Sequence, residues 1–142
     1  MVKFFFFLRN CIVKKRCLFM YPLYRSIGLF YSSAIPLTSK ISPNVKFMHG
    51  LYGIFISGAA EIQENVTIYH HVTIGGVWTD SKKKGAPIIG QGSVLYPGSK
   101  IVGNVKIGEN CIIGPNVVIW SDIPDNTTVV FEKSAYKMIK NI

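Results

Sequence analysis

Cysteine, histidine and acid are all scarce in this chain of 142 residues. Three cysteines (Cys11, Cys17 and Cys111) are too few and too scattered for a disulfide framework or a zinc-ligand pattern, and such thiols suit a reducing cytoplasm. Long apolar runs are missing near the start. Phe4 to Leu8 is closed by Arg9, far short of the roughly 20 residues of a membrane-spanning helix. A secretory leader is not expected either, because no small-x-small cleavage site follows and Lys14, Lys15 and Arg16 interrupt the segment. Charged residues amount to 16% against 49% apolar, which excludes a disordered linker. The net charge of +9 is unevenly placed: residues 1–60 carry eight basic and no acidic side chains, residues 61–142 eight basic and seven acidic. The positive field belongs to the front of the molecule.

What the chain has instead is a six-residue period. Ile41 and Phe47, then Ile56, Ile62, Ile68 and Ile74, then Ile89, Leu95, Ile101, Ile107, Ile113 and Ile119 recur at steps of six. Two longer steps, 47 to 56 and 74 to 89, each exceed a multiple of six by three and read as loops between intact units. A second series, four residues after the first, is small or β-branched: Val45, Ala60, Val66, Val72, Ser93, Ser99, Val105, Cys111, Val117 and Ile123. Glycine often follows the large aliphatic, at Gly75, Gly90, Gly108 and Gly114. A period of six fits neither a helix of 3.6 residues per turn nor an uninterrupted strand. It predicts short strands with a corner every sixth residue. The aliphatic points inward, the small residue fills the remaining space, and glycine, Asn or Pro relaxes the corner. Three strands close a triangular coil of roughly 18 residues, and stacking covers what a single coil leaves open, at roughly 1.5–3 kcal/mol per buried aliphatic.

The units Ile107-Gly108-Glu109-Asn110-Cys111-Ile112 and Ile113-Gly114-Pro115-Asn116-Val117-Val118 resemble those of the hexapeptide-repeat acyltransferases. The resemblance covers about residues 34–126 and implies an all-β solenoid, a left-handed parallel β-helix of about four coils. Its handedness comes from the resemblance alone, since right-handed crossovers are the general rule. The expected division is a basic-aromatic N-terminal helical segment (1–33), the β-helix acyltransferase domain (34–126) and a C-terminal tail (127–142). In residues 1–33, apolar blocks alternate with Arg9 and Lys14-Lys15-Arg16, and Pro22 is an expected break, so one or two short helices are predicted. Two roles stay open for them: a cap on the end of the solenoid, or an interfacial anchor for anionic lipid. Asp122-Ile123-Pro124-Asp125-Asn126 resembles the turn that closes many such helices.

The stretch His49-Gly50-Leu51-Tyr52-Gly53-Ile54-Phe55-Ile56, followed by Val72-Thr73-Ile74-Gly75-Gly76, is similar to one subgroup, the serine acetyltransferases and the related capsule or lipopolysaccharide O-acetyltransferases. That similarity implies His49 as catalytic base and places Gly75 and Gly76 against the acyl donor. A hydroxyl needs a base to take its proton as it attacks a thioester, and imidazole, with a pKa near 6.5, suits that task. Donors aimed at the tetrahedral oxyanion complete the chemistry. Tyr96, Pro97 and Pro115 are expected as walls of the coenzyme A groove, and Lys84, in the loop Val77–Pro87, as a phosphate contact. Tyr52, His70, His71 and Trp78 are candidate substrate contacts. For His70 and His71 a contact across a subunit interface is an alternative to an acceptor hydrogen bond, and a plain surface corner is favoured over both. No metal site is expected, since neighbouring side chains diverge at a corner and no further Cys or His completes a ligand set.

The chain departs from the serine enzymes in several places. Their Asp before the base is Met48, their orienting Asp falls near Ala34, and a second loop histidine is Ala86. Pro97 and Pro115 replace small residues that donate a backbone N–H. The expected function is therefore acetyl-CoA-dependent transfer to a hydroxyl of a sugar or surface polysaccharide. Serine O-acetylation and a non-catalytic β-helix scaffold are the alternatives. The implied setting is a cytoplasmic homotrimer with the donor between neighbouring helices and possible peripheral membrane contact through residues 1–33. No nucleic-acid partner is expected.

Overall fold

The structure, a computed structural model, describes residues 1–14, 17–78 and 85–131. Twelve short strands each carry one member of the predicted aliphatic series as their second residue. They are β1 (Lys40–Ile41), β2 (Lys46–Phe47), β3 (Phe55–Ile56), β4 (Glu61–Ile62), β5 (Thr67–Ile68), β6 (Thr73–Gly75), β7 (Ile88–Ile89), β8 (Val94–Leu95), β9 (Lys100–Val102), β10 (Lys106–Ile107), β11 (Ile112–Ile113) and β12 (Val118–Ile119). All stack in parallel, as the walls β1-β4-β7-β10, β2-β5-β8-β11 and β3-β6-β9-β12 of a three-sided prism; β13 (Thr128–Val129) extends the second wall. This is the expected left-handed parallel β-helix of four coils with helices before it.

Register fixes the coil length. Lys40 pairs with Glu61, Glu61 with Ile88 and Ile88 with Lys106. The last of these steps is the uninterrupted coil, three hexads long, and the first exceeds it by three residues. The middle step exceeds it by nine rather than the three read from the period, because β7 takes its place on the first wall directly after β6 on the third. The interior is dry and continuous: Ile62, Ile68, Ile74, Ile89, Leu95, Ile101, Ile107 and Ile113 are at most 1% exposed. Ala60, Val66, Val72, Ser93, Ser99 and Cys111 fill the space between them. Ser93 is tolerated there because its hydroxyl donates to the Gly108 carbonyl (2.9 Å) and accepts the Cys111 N–H (2.9 Å).

The glycines after the aliphatics do not relax the corners, as the period suggested. Where a corner has a left-handed residue it mostly falls two places later, at Asn65, His71, Asn110, Asn116 and Asn126 (φ 53–58°), or at Gly92 and Gly98 (φ 72°). Asn tolerates that conformation better than most side chains. Gly90 and Gly108 are needed for close stacking instead. A Cβ on Gly90 would lie 2.4 Å from the Gly108 carbonyl, and one on Gly108 would lie 2.4 Å from Asp125 Oδ1 and 2.5 Å from its backbone nitrogen.

Residues before the first coil form α1 (Val2–Val13), a 3₁₀ turn (Leu18–Met20) and α2 (Tyr21–Phe30). Pro22 does not break this segment; it stands in the first turn of α2, where a missing N–H costs nothing. The segment covers the open end of the prism. Phe6 stacks on Phe47 (4.9 Å), Phe5 on Tyr24 (4.5 Å), and Leu8 and Ile12 are buried. The buried Arg9 guanidinium donates to the carbonyls of Ser39 and Leu37 (3.3 Å), and the Tyr24 hydroxyl donates to the Ile35 carbonyl. Burial pushes the Tyr24 phenol up to about 12, against the opposing pull of Arg9. Asp122 and Asp125 finish the other end by accepting the N–H groups of Lys106 and Glu109 (both 2.8 Å). Among the described residues no helix is long and apolar enough to cross a membrane.

Two outcomes follow. Gly90→Ala should lower the urea midpoint by an amount equivalent to about 1–3 kcal/mol of overpacking, whereas Gly75→Ala, whose Cβ would meet only Thr73 and Val102 at ordinary contact distance, should cost under about 1 kcal/mol. Folded Tyr24 keeps its proton to about pH 12 and the unfolded side chain loses it near 10. The native state therefore binds more protons between those values, and stability falls as pH rises from 10 to 12. Tyr24→Phe should flatten that part of the alkaline unfolding curve followed by circular dichroism.

Candidate active site

Backbone stacking sets one column of side chains along the edge between the second and third walls. The second residue after the inward aliphatic is His49 in the first coil, His70 in the next, then Pro97 and Pro115. Bonds between coils come from the residues on either side. The N–H groups of Met48, Tyr69 and Tyr96 reach Ile68, Leu95 and Ile113 (2.9–3.0 Å), and those of Gly98 and Asn116 reach His70 and Pro97 (3.2 and 3.0 Å). The column residue contributes no donor to the stack among the described residues, so proline fits there without losing a ladder bond.

The three-residue insertion opens this edge into a pocket. His49 adopts φ +63°, uncommon for a residue with a side chain, and Gly50 and Gly53 continue the turn at +82° and +62°. Gly53 donates to the Tyr31 carbonyl (2.9 Å) and His71 to that of Tyr52 (2.8 Å), which ties the turn to α2 and to the coil below. A Cβ on Gly53 would stand 2.1 Å from His71 Nδ1, so only glycine leaves room for that ring. The pocket has a volume of about 460 Å³ and is lined by Tyr31, Ser32, His49, Tyr52, Gly53, His70 and His71. No carboxylate is among those residues.

Within it the rings are ordered by contact. His49 is exposed. It sits edge-on over Tyr69 (5.5 Å), which stacks flat on Tyr96 (5.2 Å, 8°), and its Nδ1 lies 3.1 Å from His70 Nδ1. The His70 and His71 rings do not diverge as a corner would suggest but meet edge to face (5.4 Å, 76°), and His70 also meets His49 from the coil above.

Gly75, Gly76 and Trp78 lie elsewhere, on the edge between the third and first walls. There Val77 and Gly85 exchange two backbone bonds (2.9 and 3.0 Å) that close the neck of the second insertion. Gly76 has a packing reason to be glycine. Its Cβ would meet Ser57 Oγ at 2.9 Å, the Gly85 carbonyl at 3.0 Å and the Trp78 indole nitrogen at 3.1 Å. Lys84 falls outside the described residues. The structure thus gathers His49, Tyr52, His70, His71, Tyr96, Pro97 and Pro115 on one edge and leaves Gly75, Gly76 and Trp78 on another.

The family model for the bacterial transferase hexapeptide (six repeats) matches residues 86–119. A serine acetyltransferase of Staphylococcus epidermidis is 42% identical over 92 residues, covering 65% of this chain and 42% of that protein. One from Helicobacter pylori is 37% identical over 100 residues, covering 67% and 58%. The chain carries the hexapeptide repeat of the bacterial transferases. A serine acetyltransferase solved in complex with CoA shares the fold at a TM-score of 0.71 and 25% identity, over 87% of this chain and 50% of that one. The chain spans about half the length of the curated relatives it matches.

For a hexapeptide-repeat protein, some of this pocket was readable and some was not. Tyr69 follows Ile68 as Tyr96 follows Leu95, so extending the period would have found it. Tyr31 and Ser32 precede the first hexad and have no place in the pattern; they arrive only because α2 docks on the first coil. Gly53 belongs to the His49–Ile56 motif, but the reason it must be glycine, the His71 ring, lies in another coil. Among the described residues no group of three His, Cys, Asp or Glu is arranged to hold a metal ion.

Proposed function

We propose that this chain is an acetyl-CoA-dependent O-acetyltransferase in which His49 is the general base. The observation that carries it is an exposed imidazole, supported by Tyr69 and His70 at the mouth of a pocket on the prism edge. His49 Nδ1 faces His70, so Nε2 is the nitrogen left for substrate. It takes the proton as the acceptor oxygen bonds to the thioester carbonyl carbon. When the tetrahedral intermediate collapses, the C–S bond breaks and the proton passes to the departing thiolate. A relative solved with CoA supports acetyl-CoA as co-substrate. Residues 34–126 would form the transferase unit, with 1–33 and 127–142 as its helical and tail segments.

Serine is the first acceptor to consider, since the similar proteins described above are named serine acetyltransferases. One observation favours the sugar hydroxyl as a second reading. The pocket offers the faces of Tyr31 and Tyr52 and, among its lining residues, no carboxylate to pair with the ammonium of an amino acid. The two-edge division of the predicted site supports the homotrimer that the resemblance implies, since a neighbouring copy could lay its Gly75-Gly76-Trp78 edge against the His49 edge. The helical segment has a separate role beyond capping. Phe4, Phe7, Leu18, Phe19, Leu29 and Phe30 are exposed beside exposed Lys3, Lys14 and Arg25. Residues 1–33 contain no acid, so a second copy docking here would set cation against cation. An anionic lipid surface instead satisfies both the rings and the charges, and would hold the enzyme peripherally at the inner face of the membrane.

His49→Ala should reduce thiol release from acetyl-CoA by about 10²–10⁴-fold with the fold intact by circular dichroism; full turnover would reject the base. Parallel assays with L-serine and with oligosaccharides discriminate the acceptors. No turnover with either, joined to no CoA binding by calorimetry, would favour a scaffold. Sedimentation with phosphatidylglycerol vesicles should recover the full chain at low salt and lose it in Phe19→Glu/Phe30→Glu. No difference from phosphatidylcholine vesicles would reject the membrane role.

A further inference from the structure

From the 3.1 Å contact between the two Nδ1 atoms across adjacent coils, we infer that His70 is a positioning residue for His49. This deepens the reading of His49 as base and rests on it. Two imidazoles meeting nitrogen to nitrogen can bond only when one carries hydrogen at Nδ1 and the other does not. In the productive arrangement His49 donates its Nδ1–H to His70, which holds its own proton on Nε2. His49 Nε2 then presents a lone pair to the pocket, and the ring cannot turn away without breaking the bond. When His49 takes the acceptor's proton, the same bond becomes one from an imidazolium and strengthens. A neutral imidazole here fills the place of a carboxylate, and the pocket lining has none.

The arrangement has a built-in acid limit. A proton added to His70 makes it the donor, so that His49 must carry its hydrogen on Nε2 and can accept nothing. One proton added to the pair therefore switches the base off. The other titratable groups around it are Tyr69 beneath His49, Tyr96 beneath Tyr69, His71 beside His70, and Tyr31 and Tyr52 across the pocket.

The test uses the full chain with acetyl-CoA and L-serine or an oligosaccharide, whichever supports turnover, together with ¹⁵N NMR of the histidine rings. His70→Ala should lower kcat by about tenfold or more, within the 10²–10⁴-fold that a placed base contributes. KM for acetyl-CoA should stay unchanged and the acid limb of the kcat/KM profile should move. His70→Asn, whose side-chain oxygen can accept from His49 Nδ1–H, should recover part of kcat. The NMR spectrum should show His49 with hydrogen at Nδ1 in the parent protein and a mixture of tautomers in His70→Ala. An unchanged kcat and acid limb in His70→Ala, in a protein that His49→Ala inactivates, would overturn the inference; so would an unchanged His49 tautomer. Should His49→Ala remain active, the base reading fails by itself, and the NMR measurement still decides whether the two rings are coupled.

Discussion

Vertical stacking of backbone on backbone is the constraint from which the rest of this molecule follows. Each coil donates to the one next to it along three walls, and the inward aliphatics sit over one another with no water between them. Parallel strands of two or three residues are too short to persist alone. They exist because the dry column holds the coils at one spacing. Any residue that follows an inward aliphatic by a fixed count is therefore aligned with its counterparts, however far apart they lie in the chain. His49 and His70 belong to different coils, and their rings touch for this reason.

Insertions are where such a regular object acquires a site. A corner without extra residues is a tight turn, in most cases through a left-handed Asn, His or Gly. Three extra residues after His49 lift the chain off the corner and let Tyr52 and Gly53 form one side of a pocket. The helical segment supplies the other side, with Tyr31 edge-on against Tyr52 (4.7 Å). The same segment also plugs the open end of the prism through Phe5, Phe6, Leu8 and Arg9. Capping and site construction thus belong to one packing event: losing the contact of α2 with the first coil would uncover the core and remove one wall of the pocket together.

Legibility in the sequence tracked the range of the interaction involved. Ile56 to Ile119 were readable as core because each coil imposes the same demand on the same position, so a local period reports a global packing. His49 was readable as a candidate by resemblance to a motif. Its contact with His70 was not, because the insertion after His49 lengthens that coil and the vertical register has to be known first. The two insertions show the same limit: their existence was plain, but the size of the second came out as nine only when β7 was seen beside β4. The role of glycine at the corners is hidden for another reason. Composition marks that a Cβ is missing, but does not distinguish a required φ from a close neighbour, and at Gly90 and Gly108 it was the neighbour.

By itself, then, the order of residues determined a triangular stack of short strands, the identity of its core and the family of its repeats, since all three depend on a pattern that recurs within a single coil. Tertiary structure alone decided which rings meet. It joined His70 to His49, brought Tyr31 and Ser32 to the pocket, and placed Gly75, Gly76 and Trp78 on a separate edge. Those outcomes depend on how coils of unequal length come into register and on where a helix lands, and no local pattern encodes either.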